Sequence, residues 1–66
     1  MSLSNQKNLK HYEKHIEIGI KKANNNDFIG AEKYFLKAIK LDKKNPTGYI
    51  NLSNIYIIHN KINKVA

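Results

Sequence analysis

Two segments of this chain, 34 residues apart, carry the same succession of large, small and polar side chains. "HIEIG" at residues 15–19 lies over "YINLS" at residues 49–53, and further along Asn26 lies over Asn60 and Phe28 over Ile62. An internal period of about 20 to 50 residues is the signature of repeat proteins, in which each unit buries its apolar face against the next. The period therefore predicts stacked copies of one small structural unit.

The first unit begins with an amphipathic helix. Between residues 9 and 20 the apolar side chains recur in steps of three and four, which is the spacing of one helix face. Ser4 or Asn5 is the expected N-cap, because a short polar side chain accepts hydrogen bonds from free backbone amides. "NNND" at residues 24–27 predicts the turn that ends the helix.

Two further helices follow from similar signals. Asp27 is the expected N-cap of a second helix that ends near Leu41. Asn45 and Pro46 then predict a cap and the first turn of a third helix, which we expect to end near His59. The side chains expected to be buried on these two helices are Phe28, Ala31, Phe35, Ala38, Ile39, Leu41, Tyr49, Leu52, Ile55 and Tyr56.

The segment "GAEKYFLKAIKLDKKN" at residues 30–45 gives the unit a family resemblance. It resembles the second helix of the tetratricopeptide repeat, with Ala31 and Ala38 at the small positions and Phe35 at the aromatic one. The resemblance covers residues 12–66. Paired helices approach closely only where side chains are small, and the residues expected at such crossings are Gly19, Ala31, Ala38 and Ser53.

The resemblance implies an all-α fold of antiparallel helix-turn-helix repeats, a fragment of an α-solenoid with three helices. Residues 1–11 would extend the first helix, residues 12–45 would form the first repeat, and residues 46–66 would form a second, truncated repeat. Within the latter, "HNKIN" at residues 59–63 is expected to be a turn, followed by the start of a fourth helix.

A repeat buries its outer face against its neighbour, and about three repeats are needed for a stable array. We therefore expect the chain to be the N-terminal part of a longer repeat protein. Leu52, Ile55 and Ile58 would be partly uncovered in the isolated chain, and this face is a candidate contact for a homodimer.

In tetratricopeptide proteins the first helix of each pair lines a concave groove that holds a peptide or helix of a partner protein. The resemblance implies a similar groove here, lined by Glu13, Ile16, Glu17, Ile20, Asn24, Thr47, Ile50, Asn51, Asn54 and Ile58. An alternative is that Ile16, Ile20 and Ile50 simply pack against one another. The family's carboxylate clamp for acidic chaperone tails is not expected, because only Asn51 matches it and two isoleucines give an anion no donor.

The charge of the chain raises a second functional class. The formal net charge is +7, all 12 basic residues are lysines, and the five acids lie between residues 13 and 42. A lysine-rich adaptor for nucleic acid is therefore an alternative to protein binding. Because arginine, the bidentate ligand of phosphate and guanine, is missing, we do not expect specific nucleic-acid recognition. A third alternative is a repeat cap that precedes a catalytic domain.

"HYEKH" at residues 11–15 superficially resembles the zinc-peptidase motif H-E-x-x-H. Glu13 comes one residue too late for that motif, which turns it about 100° round a helix. A third ligand is also missing, because the only other histidine, His59, is expected at the far end of the third helix. We therefore expect no metal, no cofactor and no enzymatic activity. Since no apolar run suits a signal peptide or a membrane span, we expect a cytoplasmic protein with no membrane partner.

Overall fold

Three helices make up the fold. The structure is a computed structural model that describes residues 3–65, with the side chains of residues 9–60. The helices are α1 (Leu3–Asn24), α2 (Phe28–Leu41) and α3 (Pro46–Val65). α1 packs along α2 and α2 packs along α3, whereas α1 and α3 meet over a much smaller area. The prediction of an all-α fold with three helices is confirmed; the finer assignment to a tetratricopeptide solenoid stays a prediction.

The turn between α1 and α2 is built by its polar residues. The Asp27 side chain accepts a hydrogen bond from the Gly30 amide at 2.9 Å, which confirms the predicted N-cap. Asn26 has a φ of 65°, in the left-handed region that asparagine tolerates better than most residues. The Lys22 ammonium lies 3.6 Å from the other Asp27 carboxylate oxygen, so this one aspartate stabilises both the start of α2 and the end of α1.

The turn between α2 and α3 has a local cap and a distant one. Asn45 directly precedes Pro46, the first residue of α3, and its side chain accepts a hydrogen bond from the Thr47 amide at 3.0 Å. Asn45 is therefore the cap that the sequence predicts. The next amide, that of Gly48, donates to the buried Tyr12 hydroxyl oxygen on α1 at 2.8 Å. First-turn amides have no hydrogen-bond acceptor inside their own helix. Tyr12 of α1 therefore supplies the acceptor for this amide of α3.

Both outer ends of the fold differ from the predictions. Ser4 and Asn5, the expected caps, lie inside α1, and α3 continues through the expected turn at residues 59–63 to Val65. Neither segment contains glycine or proline, and an isolated asparagine or serine in a helix costs less than about 1 kcal/mol. Nothing local therefore stops the helices, and the expected start of a fourth helix is wrong for Lys64 and Val65. The side chain of Ile62 lies outside the described residues.

The core is small and is centred on α2. Phe35 is its largest fully buried side chain, at 1% exposure. Ala23, Phe28, Leu41 and Leu52 pack against the core from positions that stay partly exposed. The buried hydrophobic residues are Tyr12, Ile16, Ala31, Phe35, Ala38 and Ile55, so all three helices contribute.

α3 presents a different face to the core from the one expected. Tyr49 and Tyr56, which we expected to be buried, are exposed, whereas Ile55 is buried, as its place on the expected core face predicts. The further expectation that Ile55 is partly uncovered in the isolated chain is wrong. The inward line on α3 has helical spacing and consists of Gly48, Leu52, Ile55 and His59, the last of which stacks on the Phe28 ring. The tyrosines lie one residue further round the helix, and the Tyr56 hydroxyl donates to the Glu32 carboxylate at the edge of the α2–α3 contact.

Phe35 of α2 packs tightly against α1 at Gly19. A Cβ atom added to Gly19 would lie 2.5 Å from Cε1 of Phe35, well inside normal contact distance. Replacing glycine by alanine in an ordinary helix interior stabilises by about 1 kcal/mol. We expect Gly19→Ala to do the opposite and to lower the stability by about 1 to 3 kcal/mol, the usual cost of overpacking. Thermal unfolding followed by circular dichroism measures the change.

Ser53, the counterpart of Gly19 in the sequence repeat, supplies the control. It is exposed, so Ser53→Ala should leave stability unchanged or raise it slightly. Combining Gly19→Ala with Phe35→Leu should cost less than the sum of the two single changes, because the smaller side chain makes room for the methyl group. A higher melting temperature for Gly19→Ala alone would show that the helices do not cross this closely.

Candidate protein-binding groove

An open cavity of about 380 Å³ lies between α1 and the beginning of α3. Its lining contains four apolar or aromatic side chains from α1, two acidic ones from α1, and two polar residues from the α2–α3 turn and the first turn of α3. Successive members on α1 are separated by one or three positions, so they occupy one face of the helix. We call this cavity the α1–α3 groove, and its lining residues are Leu9, Tyr12, Glu13, Ile16, Glu17, Ile20, Asn45 and Thr47.

The structure brings together half of the residues that the sequence placed in a groove. Those that line the cavity are Glu13, Ile16, Glu17, Ile20 and Thr47, whereas Asn24, Ile50, Asn51, Asn54 and Ile58 do not. Three lining residues were missed. Leu9 and Tyr12 share the helix face of Ile16 and Ile20, so the spacing alone was a signal for them. Asn45 had no such signal, because its place depends on how α2 turns back beside α1.

The floor of the groove, formed by Tyr12 and Ile16, is packed into the core, whereas its rim, formed by Leu9 and Ile20, is exposed. Ile16 is 8% exposed and belongs to the core, beside Tyr12, whose hydroxyl oxygen is held by the Gly48 amide. Ile20 and Ile50 remain 41% and 57% exposed. Ile20 and Ile50 therefore keep a large part of their apolar surface uncovered, whereas Ile16 is buried.

The groove carries negative charge in a basic chain. Glu13 and Glu17 are the charged residues of its lining, which contains no lysine or histidine, so its formal charge is −2 while the chain carries +7. Glu17 makes a loose ion pair with Lys21, at 4.0 Å and with both side chains largely exposed. Among the described residues, neither of the two ion pairs involves Glu13. Both carboxylates are therefore accessible to a ligand.

The remaining predicted groove residues lie further along α3 or at the end of α1. Ile50, Asn54 and Ile58 are exposed on α3, and Asn24 is exposed at the last position of α1. The side-chain amide of Asn51 donates, through Nδ2, to the Thr47 backbone carbonyl one turn earlier at 2.9 Å. Its expected bond to a ligand backbone would therefore have to replace an existing bond.

A second cluster surrounds Tyr34 on α2, where its ring meets His15 of α1 at a centroid distance of 5.8 Å. The ammonium groups of Lys37 and Lys22 lie 4.8 and 5.7 Å from the centroid of the same ring, close enough for cation–π attraction. Nδ1 of His15 is buried and has no hydrogen-bond partner among the described residues. His15 thus packs against an aromatic ring without satisfying its own polar atom.

The two histidines of "HYEKH" lie in different surroundings. His11 is exposed, while His15 packs toward Tyr34. Across the part of the chain whose side chains are described, no three histidine, aspartate or glutamate side chains gather into a metal-binding group. Over the same part of the chain, no helix has the length and apolar character that crossing a membrane requires.

Comparisons with protein-family models, with curated proteins and with solved structures found no match to this chain. The tetratricopeptide resemblance therefore rests on the residues themselves.

His15 gives the protein a predicted sensitivity to acid. Its burial, and after that the positive charge of Lys37, lowers the pKa of His15 below the usual value. The unfolded chain then binds the proton more readily than the folded one. The contribution of His15 to stability is complete above about pH 6.5 and is lost as the pH falls through the lowered pKa. Urea unfolding at pH 7.5 and 5.5 should show this decline.

His15→Phe should raise stability by about 1 kcal/mol at neutral pH, because it removes a buried polar atom without a partner, and it should flatten the decline. His11→Gln is the matched control, since His11 is exposed, and it should keep most of the decline. If His15→Phe and wild type lost stability in parallel on acidification, the titrating group would be another one.

Proposed function

We propose that this chain is a protein-interaction or scaffold module of the tetratricopeptide type. It binds a peptide or helix of a partner protein in the α1–α3 groove. The observation that supports this most strongly is the contrast between floor and rim. Tyr12 and Ile16 are packed into the core, whereas Leu9 and Ile20 stand exposed at the two ends of the same surface. A preformed apolar surface of this kind is typical of sites where helices or peptides dock.

The dimensions of the groove favour a peptide segment. From Leu9 to Ile20 its wall runs for about three turns of α1, roughly 16 Å at 1.5 Å per residue. An amphipathic helix of similar length would lay one apolar face along it. The lining has two carboxylates, a phenol already engaged with α3, and no histidine or lysine to act as a general base or nucleophile beside Thr47. A binding role therefore accounts for these residues better than a catalytic one.

Selection from a displayed library of random peptides tests the proposal without a prior choice of partner. Peptides of about 16 residues are long enough for four helical turns. The immobilised wild-type chain is the target, and Ile20→Asp, which puts a charge on the rim, is the counter-target. Ile29→Asp is the matched control, because Ile29 is an exposed isoleucine, at 79%, on α2 and away from the groove.

We expect peptides that bind wild type and Ile29→Asp but lose at least about tenfold in affinity for Ile20→Asp, since a desolvated carboxylate among apolar contacts costs more than 1.4 kcal/mol. Circular dichroism establishes that both variants remain folded. Binders that ignore Ile20→Asp, or the absence of any binder, would contradict the proposed function.

The Tyr34 cluster favours a second candidate, a nucleic-acid contact. Lys22 and Lys37 lie beside one aromatic ring, a combination that suits phosphate and base together. Filter binding of single-stranded RNA across a salt series tests it. Measurable affinity that falls steeply with salt and is lost in Tyr34→Ala would favour this candidate over a protein groove.

A further inference from the structure

We propose that the partner segment of the α1–α3 groove is basic as well as apolar: an amphipathic segment with lysine or arginine side chains spaced to meet Glu13 and Glu17. This inference rests on the proposed function and specifies the chemistry of its partner. It follows from how charge is distributed on α1.

Two rows of side chains run along the groove wall. Tyr12, Ile16 and Ile20 follow one another at four-residue spacing and form the apolar row, whereas Glu13 and Glu17 form an adjacent acidic row. The two carboxylates are one turn apart, about 6 Å along the helix axis. A complementary helix would place its apolar stripe on the first row and two cations, also one turn apart, on the second.

The positive charge of the rest of the chain does not cancel this local preference. Charges are screened over about 8 Å at physiological salt, so carboxylates in contact with the ligand outweigh lysines beyond that distance. Lys21, the ammonium nearest to Glu17, makes only a loose and exposed pair at 4.0 Å, which a bound cation can replace. Two of the chain's five acids lie in this one groove.

The surrounding lysines instead make a basic partner more selective for the groove. A basic segment is repelled by the faces of a chain with a net charge of +7 and is attracted only where acids outnumber cations. Like-charge contacts of this kind suppress binding in wrong places and help to fix the orientation of the partner. The groove combines such an acidic strip with exposed apolar side chains, Leu9 and Ile20.

The same peptide selection tests the inference through two additional readouts. The first is the composition of the enriched peptides that depend on Ile20. The second is the affinity of one such peptide, labelled and measured by fluorescence anisotropy, for the double variant Glu13→Gln/Glu17→Gln. Glu32→Gln is the matched control, because it removes a carboxylate that lies outside the groove and leaves an oxygen that the Tyr56 hydroxyl can still use.

We expect enrichment of lysine and arginine beside leucine, isoleucine or phenylalanine. The double variant should bind about tenfold more weakly, as expected for two exposed charge pairs, and Glu32→Gln should differ from wild type by less than about twofold. Binding to wild type should also weaken between low and high salt. This salt dependence is independent of any change in folding caused by the substitutions.

Other results overturn the inference in distinct ways. Peptides that need Ile20 but lack basic residues, or that bind the double variant equally well, would contradict the basic partner while still supporting the proposed function. If no selected peptide depended on Ile20, both the proposed function and the basic partner would be contradicted. A dimer in sedimentation equilibrium that dissociates in Ile20→Asp would assign the groove to a second copy of this chain instead.

Discussion

Phe35→Ala should leave the chain largely unfolded at room temperature. Phe35 is the largest fully buried side chain, and its ring fills the space that Gly19 leaves open on α1. Truncating a buried phenylalanine to alanine costs about 3 to 5 kcal/mol. A chain of 66 residues has about 3 to 10 kcal/mol of stability in total. The loss is therefore comparable to the whole free energy of unfolding.

Far-UV circular dichroism during a urea titration measures this effect, and Leu36→Ala controls for it. Leu36 is the next residue of α2 and is exposed, so its truncation should change the free energy of unfolding by no more than about 0.5 kcal/mol. The helix propensity of alanine favours both variants, so any difference between them reflects packing. Equal midpoints for the two would mean that the core is not centred on Phe35.

The helices of this fold could be predicted because their signals are local. Asp27 and Asn45 each bond an amide only two or three residues away, so their capping role is visible in the sequence. The buried line of Ala31, Phe35 and Ala38 also follows from spacing within one helix. The outer ends lacked such signals, and α1 and α3 are accordingly longer than predicted.

The orientation of α3 could not be predicted in the same way. A small turn of this helix exchanges Tyr49 and Tyr56 for Gly48 and His59 beside Leu52 and Ile55 on the inward face, and both sets have helical spacing. The choice depends on contacts with the other helices, such as the bond from the Gly48 amide to the Tyr12 hydroxyl across 36 positions of sequence. Glu32, which holds the Tyr56 hydroxyl at the edge, is likewise a residue of another helix.

The same division applies to the candidate groove. Its α1 wall was predicted at Glu13, Ile16, Glu17 and Ile20, because a helix face can be read from spacing. Of the α3 residues, only Thr47 was placed correctly. α3 meets α1 over a small area, and the contacts at Thr47 and Gly48 place it at the beginning of α3. How far two helices run side by side depends on their crossing angle, which spacing within either helix does not encode.

Ala38→Leu should destabilise the chain by forcing α2 away from its neighbours. Ala38 is completely buried, and the tetratricopeptide resemblance places a small residue at this position so that helices can approach closely. Overpacking a core position typically costs about 1 to 3 kcal/mol. The backbone must also move to admit a branched side chain, which would separate the core contacts on either side. We expect a lower urea midpoint and reduced helix content near room temperature.

Lys33→Leu separates this packing effect from the general effect of adding leucine to α2. Lys33 is exposed near the middle of the same helix, and leucine and lysine have similar helix propensities. The control should therefore unfold close to wild type, while Ala38→Leu unfolds earlier. If Ala38→Leu kept both the helix content and the midpoint of wild type, the helices would not approach closely at this residue. The strongest physical reason for a repeat-type packing of this chain would then be lost.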